Sequence, residues 1–131
     1  MKIAIPTRDF VSPAGHAGKS RKWLVYSLLE PLDASAPVPS PERIELTNQQ
    51  VIHNFEGDGP HPLDGVQLIL TYSAGDGFFR KMQQRGCEVL LTGAADLAGA
   101  VRAWLAGEPQ PEPPFDITAK FCWVHDLFSR H

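Results

Sequence analysis

Five histidines and two cysteines carry the coordination chemistry open to this 131-residue chain, and their surroundings sort them. His16 stands in VSPAGHAGKSRKWLVYSL (11–28), between small residues and just ahead of a β-like run. An imidazole on such a glycine-flanked loop can ligate a soft or borderline metal and exchange it readily. An ordinary loop histidine, hydrogen-bonded to its own backbone, looks the same in sequence. Beside it Lys19, Arg21 and Lys22 form a cationic group. Such a group draws an anionic ligand or serves simply as a solvated edge.

A second candidate is the turn Gly75-Asp76-Gly77, set between an apolar run and a helix-forming stretch. Free N–H groups and the helix dipole make such a turn a place for a phosphate, a carboxylate or an anionic cluster. Asp76 opposes this, because as the expected N-cap its carboxylate would take the same donors. The Lys-Ser/Thr pair of a Walker A loop is missing, and no dinucleotide fingerprint is present. Cys122 and His125 are three apart and would reach one metal from a helix or turn. Their neighbours Phe121, Trp123, Leu127 and Phe128 favour instead an amphipathic tail packed on the body. Cys87 reads as a small buried hydrophobe at the start of a strand. His53 and His61, with Glu56, Asp58 and Asp64, could bind a hard or borderline cation, but a plain solvated loop is favoured. Arg80, Lys81 and Arg85 read as a helix's solvent face.

Nucleophilic and metal-dependent hydrolysis find little support. No G-x-S-x-G elbow surrounds Ser73. The first strand, KIAIP, carries no carboxylate for a two-metal site, and Asp9 lies beyond its end. The net charge of −3 argues against nucleic-acid binding driven by bulk electrostatics. The N-terminus lacks the apolar run of a signal peptide, and no stretch approaches the roughly 20 apolar residues of a membrane span. These features lead to the expectation of a non-enzymatic cytoplasmic protein with reduced thiols. Two cysteines cannot supply the four thiolates that normally hold an iron–sulfur cluster.

The elements that must position these residues follow from patterning. Short β-runs occupy 2–6, 22–30, 43–47, 66–71 and 87–91, the first stopped by Pro6 and the second by Pro31. Pro31–Pro41 carries four prolines and must run as an exposed excursion. Residues 48–63 are polar and show no period. A helix runs from Asp76 to Gly86, with Phe78, Phe79 and Met82 on its apolar face. Another opens at Thr92 or Asp96 and closes at Gly107. The second half is therefore β-α-β-α with parallel pairing, and the first half is antiparallel. The fold class is α/β, with one mixed five-stranded sheet. Residues 1–107 form the domain, and 108–131 a proline-rich linker with an apolar tail.

Three stretches in this order resemble the nitrogenase iron–molybdenum cofactor biosynthesis family, the NifX, NifY and NafY type accessory proteins and the C-terminal domain of many NifB proteins. MKIAIPTRD is similar to the family's opening strand. In GHAGKSRKWLVYSL, His16, Gly18, Ser20, Trp23, Val25 and Tyr26 fall in step with the signature H-F-G-x-(A/S)-x-x-F-x-V/I-Y. The part from DGVQLILTYSAGDGFFRKMQQRGCEVLLT to AVRAWLAGE resembles the family's strand, glycine turn, helix, strand and final helix. Ala17 stands where the signature has Phe, removing an aromatic next to the candidate ligand. The resemblance implies a ribonuclease H-like sheet without the nuclease site. It also implies transient carriage of a preformed iron–sulfur or iron–molybdenum cofactor, or its precursor, towards nitrogenase or cofactor-assembly proteins. In that reading His16 is the metal ligand, and Gly18, Lys19, Arg21, Gly75, Asp76 and Gly77 contact the cofactor, in a monomer or a homodimer. Two other readings remain open: a metal-free interaction or regulatory module docking through its tail, and a phosphate or small-molecule binder at the glycine turn.

Overall fold

KIAIPT (β1, Lys2–Thr7) and KWLVYS (β2, Lys22–Ser27) lie antiparallel, with Ile3 opposite Tyr26 and Ile5 opposite Leu24. β3 (Glu42–Glu45) pairs antiparallel with the outer edge of β2. On the other side of β1, β4 (Val66–Thr71) runs parallel to it, and β5 (Glu88–Leu91) runs parallel to β4. One open, mixed five-stranded sheet results, in the order β3-β2-β1-β4-β5. Helices α1 (Asp76–Gln84) and α2 (Leu97–Leu105) follow β4 and β5. This computed structural model describes residues 1–57 and 59–113, so Asp58, Cys122, His125 and the rest of the tail from 114 onward lie outside the described residues.

Side-chain alternation splits each strand between two cores. One face collects Ala4, Trp23, Val25 and Ile69 beneath Phe78 and Met82 of α1. The other collects Ile3, Ile5, Leu24, Tyr26, Leu68 and Leu70 beneath Leu97, Ala100 and Val101 of α2. Val66 and Ile69 share the first face although three residues separate them. A register shift resolves this: Lys2 pairs with Val66 but Ile3 with Leu68, so Gln67 is the extra residue of a bulge. Trp23 is wholly buried and its Nε1 donates to Ser20 O at 3.0 Å, so its polar tip is satisfied inside the core.

Several boundaries differ from the patterned ones. β1 continues past Pro6 to Thr7, whose hydroxyl donates to Lys22 O at 3.0 Å. β2 ends at Ser27 rather than at residue 30: Leu28 N reaches Met1 O, and beyond it no partner strand remains. The proline-rich 31–41 segment is exposed nearly throughout, as expected. The polar stretch 48–63 proves to be a cover for the α1 face, because Val51, Ile52 and Leu63 are buried there with Leu46. Gly86 (φ 76°) and Gly107 (φ 72°) follow the ends of α1 and α2, where a left-handed residue is needed.

Candidate functional site

Adjacent parallel strands end at the same edge of a sheet. From β1 the chain turns towards β2 and β3, and from β4 it passes through α1 to β5, so the connections diverge between these neighbours. Such a switch point leaves a crevice outside the carboxyl ends of the strands, the usual place for a ligand in an open α/β sheet. The His16 loop follows β1 and the glycine turn follows β4. Two candidates 57 residues apart are thereby brought together, at the bond between Ser73 and His16.

Hydrogen bonds fix the His16 loop from several sides. Ala14 N donates to Pro6 O at 3.0 Å, and Ala17 N to Ser73 O at 3.2 Å. The Ser20 hydroxyl donates to His16 O at 2.6 Å, closing the single 3-10 turn Ala17–Lys19. Ser73 Oγ lies 2.5 Å from Gly15 O and 3.0 Å from Nδ1 of His16. The other ring nitrogen, Nε2, has no hydrogen-bond partner among the described residues, and His16 is exposed. Ala17 is wholly buried in the α1-side core, so its position is an interior one.

At the glycine turn the capping expectation is also corrected. Gly75, not Asp76, is the N-cap of α1, no side chain caps the helix, and Asp76 is its first residue. Phe79 N donates to Gly75 O at 3.1 Å, and the N–H groups of Asp76, Gly77 and Phe78 have no intrahelical acceptor. A Cβ at Gly75 or at Gly77 would meet nothing within 4 Å. Neither glycine is required by packing, and both keep the backbone open to an incoming group. Gly18 is held by His53 N donating to its carbonyl at 2.7 Å, and lies beside Phe78. His53, read from sequence with a different loop, thus flanks the His16 loop; only the fold makes that visible.

The cations divide. Lys19 is exposed and has no ion pair among the described residues. Arg21 turns away: its Nε donates to Leu46 O at 3.0 Å and its guanidinium lies 3.5 Å from Glu45. Lys22 lies 5.7 Å from the centre of the Phe10 ring. Lys81 and Arg85, expected on a solvent face, instead brace the 50–64 cover. Lys81 Nζ donates to Ile52 O at 2.8 Å, and Arg85 reaches Gly59 O at 3.1 Å and Asp64 at 2.6 Å. The His61 N–H and then Arg85 hold the Asp64 carboxyl below its ordinary value.

Among the described residues the His/acid-rich stretch, favoured from sequence as a plain solvated loop, neither gathers ligands nor lies wholly in solvent. His61 is buried, with Nε2 2.5 Å from Gln50 O and Nδ1 accepting from Leu63 N at 3.0 Å, so both nitrogens are spent. Among the described residues no three His, Cys, Asp or Glu side chains are grouped to hold a metal ion. Cys87 is buried, and burial pushes its thiol up to about 12, with Glu88 adding to the shift. Among the described residues the switch point therefore offers the His16 imidazole and helix N–H groups, with the exposed Lys19 three residues along the chain. That donor set suits an anionic group that brings its own ligands, and does not suit a bare ion needing a full coordination shell. Among the described residues no helix is long and apolar enough to cross a membrane.

The class defined by this sheet is a small mixed α/β protein with a crevice at the β1/β4 switch point. Solved structures share the architecture. The crystal structure of the protein PH0822 matches with a TM-score of 0.65 and 21% identity, covering 87% of this chain and 98% of that one. A Methanocaldococcus jannaschii protein (mj0327), provisionally named as a dinitrogenase, matches with a TM-score of 0.58 and 15% identity, over 82% and 90% of the two chains. A Thermotoga protein (TM1290), provisionally named as a NifB protein and belonging to the DUF35 family, matches with a TM-score of 0.53 and 18% identity, over 87% and 95%. No family model matches the sequence, and no curated protein matches it. At these identities the likeness establishes the fold.

Proposed function

We propose that this chain is a non-enzymatic carrier that transiently holds a preformed iron–sulfur or iron–molybdenum cofactor, or its precursor, in the β1/β4 crevice. In this reading it is a cytoplasmic nitrogenase accessory protein of the NifX type with a ribonuclease H-like fold. One observation carries the proposal: His16 presents an Nε2 that has no partner among the described residues, beside a helix N-terminus that none of their side chains caps. The names of two fold neighbours, a dinitrogenase and a NifB protein, accord with the signature around His16.

The roles follow from charge and donor type. His16 ligates one metal of the cargo, and its exposure lets the ligand exchange. N–H groups at Gly75, Asp76 and Gly77 bind sulfide or carboxylate on the cargo's anionic surface. Gly18 gives that surface room beside the loop, and Lys19 attracts it from solution. Arg21 contributes at longer range only, since its guanidinium is engaged at the β3 edge. Among the described residues no thiolate stands beside His16, and such a site releases a cluster more readily than it would assemble one. Transfer partners on this reading are nitrogenase or cofactor-assembly proteins.

Anaerobic titration with an iron–sulfur cofactor precursor, followed by absorption and bound iron, tests the reading. Wild type is expected to bind and His16→Ala to lose binding. Equal binding by both would remove His16 from the site. No binding by either would overturn the carrier role and leave the metal-free interaction module as the better account.

A further inference from the structure

Ser73 drew notice in the sequence only as a serine without a nucleophile elbow, yet it is 1% exposed and its hydroxyl joins the two halves of the crevice. We infer that Ser73 is a positioning residue that fixes the tautomer of His16, so that Nε2 is the atom presented to a ligand. This inference rests on the carrier reading for its purpose, but not for its geometry.

The proton count is decisive. Ser73 Oγ is hydrogen-bonded to Gly15 O. A backbone carbonyl has no proton to give, so the hydroxyl donates to Gly15. Its single proton is then spent, and towards Nδ1 of His16, 3.0 Å away, Oγ can only accept. Nδ1 therefore carries the proton of the neutral ring, and Nε2 carries the lone pair. In water the neutral imidazole of histidine prefers the opposite arrangement, so the loop works against the intrinsic preference.

Burial makes the choice firm. Ser73 is closed to solvent, so its hydroxyl finds its partners in Gly15 O and the His16 ring. The backbone bond from Ala17 N to Ser73 O, at 3.2 Å, holds the loop and the turn in the register that this contact needs. Metal-bound histidines generally have their second nitrogen fixed in this way, with the outer partner setting ring orientation and basicity. The arrangement also disarms Ser73 as a nucleophile, since its proton faces Gly15 and not the ring.

Nitrogen-15 spectroscopy of the histidine side chains, at a pH where the ring is neutral, reads the tautomer directly. Wild-type His16 is expected to show a protonated Nδ1 and an unprotonated Nε2. Ser73→Ala is expected to shift the proton to Nε2 and to weaken binding of the iron–sulfur precursor about 10–100-fold. Ser20→Ala is the structural control. It removes the other hydroxyl bracing this loop, the 2.6 Å bond to His16 O, without touching the ring. It should leave the tautomer as in wild type. A wild-type ring protonated on Nε2, or tautomer changes that are alike in the two variants, would overturn the inference. If no variant binds a cluster but the tautomer responds as described, the carrier reading fails and the positioning role stands.

Discussion

Two strand-to-helix turns lie at the same edge of the sheet, and they are finished differently. After β5 the chain closes the turn from within. Asp96 caps α2 by accepting from Gly99 N at 3.1 Å, and Gly93 N donates to Pro111 O at 2.7 Å. Gln110 reaches across, accepting from the Thr92 hydroxyl at 2.7 Å and donating to Ala100 O at 3.0 Å. The 110–113 stretch, expected as an extended linker, thus lies against the β5–α2 turn. After β4 no such closure is found among the described residues: α1 has a glycine cap, open space around Gly75 and Gly77, and first-turn N–H groups without an intrahelical acceptor. The comparison teaches that polar backbone at a helix start can be satisfied by the chain itself or left for something else. Of these two turns, the one beside His16 is left open by the described residues.

Gly93 offers the largest test of that contrast. A Cβ there would stand 1.8 Å from Glu112 O, so Gly93→Ala must displace the covering stretch. It is expected to cost about 1–3 kcal/mol, as other overpacking does, read as a lower urea midpoint at unchanged slope. Gly75→Ala, with nothing near its Cβ, should stay within about 0.5 kcal/mol of wild type. Equal costs at the two glycines would break the comparison.

Asp96→Ala comes next in size. Losing the cap of α2 should cost about 1 kcal/mol, measured in the same unfolding experiment. An unchanged midpoint would mean that the 110–113 stretch alone satisfies that turn. The converse change, Gly75→Asp, supplies α1 with the cap it lacks. It should raise stability by only a few tenths of a kcal/mol while weakening binding of an iron–sulfur precursor, because the new carboxylate takes the donors. Undiminished binding would separate the glycine turn from the site.

The smallest effect expected is no reaction. With its thiol pushed up to about 12 by burial, Cys87 should resist alkylation at neutral pH until the chain unfolds, as peptide mapping after iodoacetamide treatment would show. Rapid labelling of Cys87 in the folded protein would mean that a second soft ligand is within reach of solvent.

What the sequence determined by itself is the set of elements and their order. The β-runs KIAIP, KWLVYSLLE and VQLILT, the apolar stripe of the first helix and the glycines at 86 and 107 are local signals. Such signals reflect backbone and side-chain preferences within a few residues, and with them the mixed five-stranded sheet was legible. His16 and the glycine turn were also legible as separate candidates, each from its immediate neighbours. The family resemblance placed them in one site, and the tertiary structure supplied the contact that joins them, through Ser73. His16 and Ser73 are 57 residues apart and meet because β1 and β4 lie side by side and parallel, a pairing without sequence periodicity. The same holds for His61, whose two nitrogens are spent inside the cover, and for Lys81 and Arg85, which brace it. A histidine's chemistry depends on what its second nitrogen finds, and hydrogen-bond partners chosen by strand pairing leave no pattern in the chain.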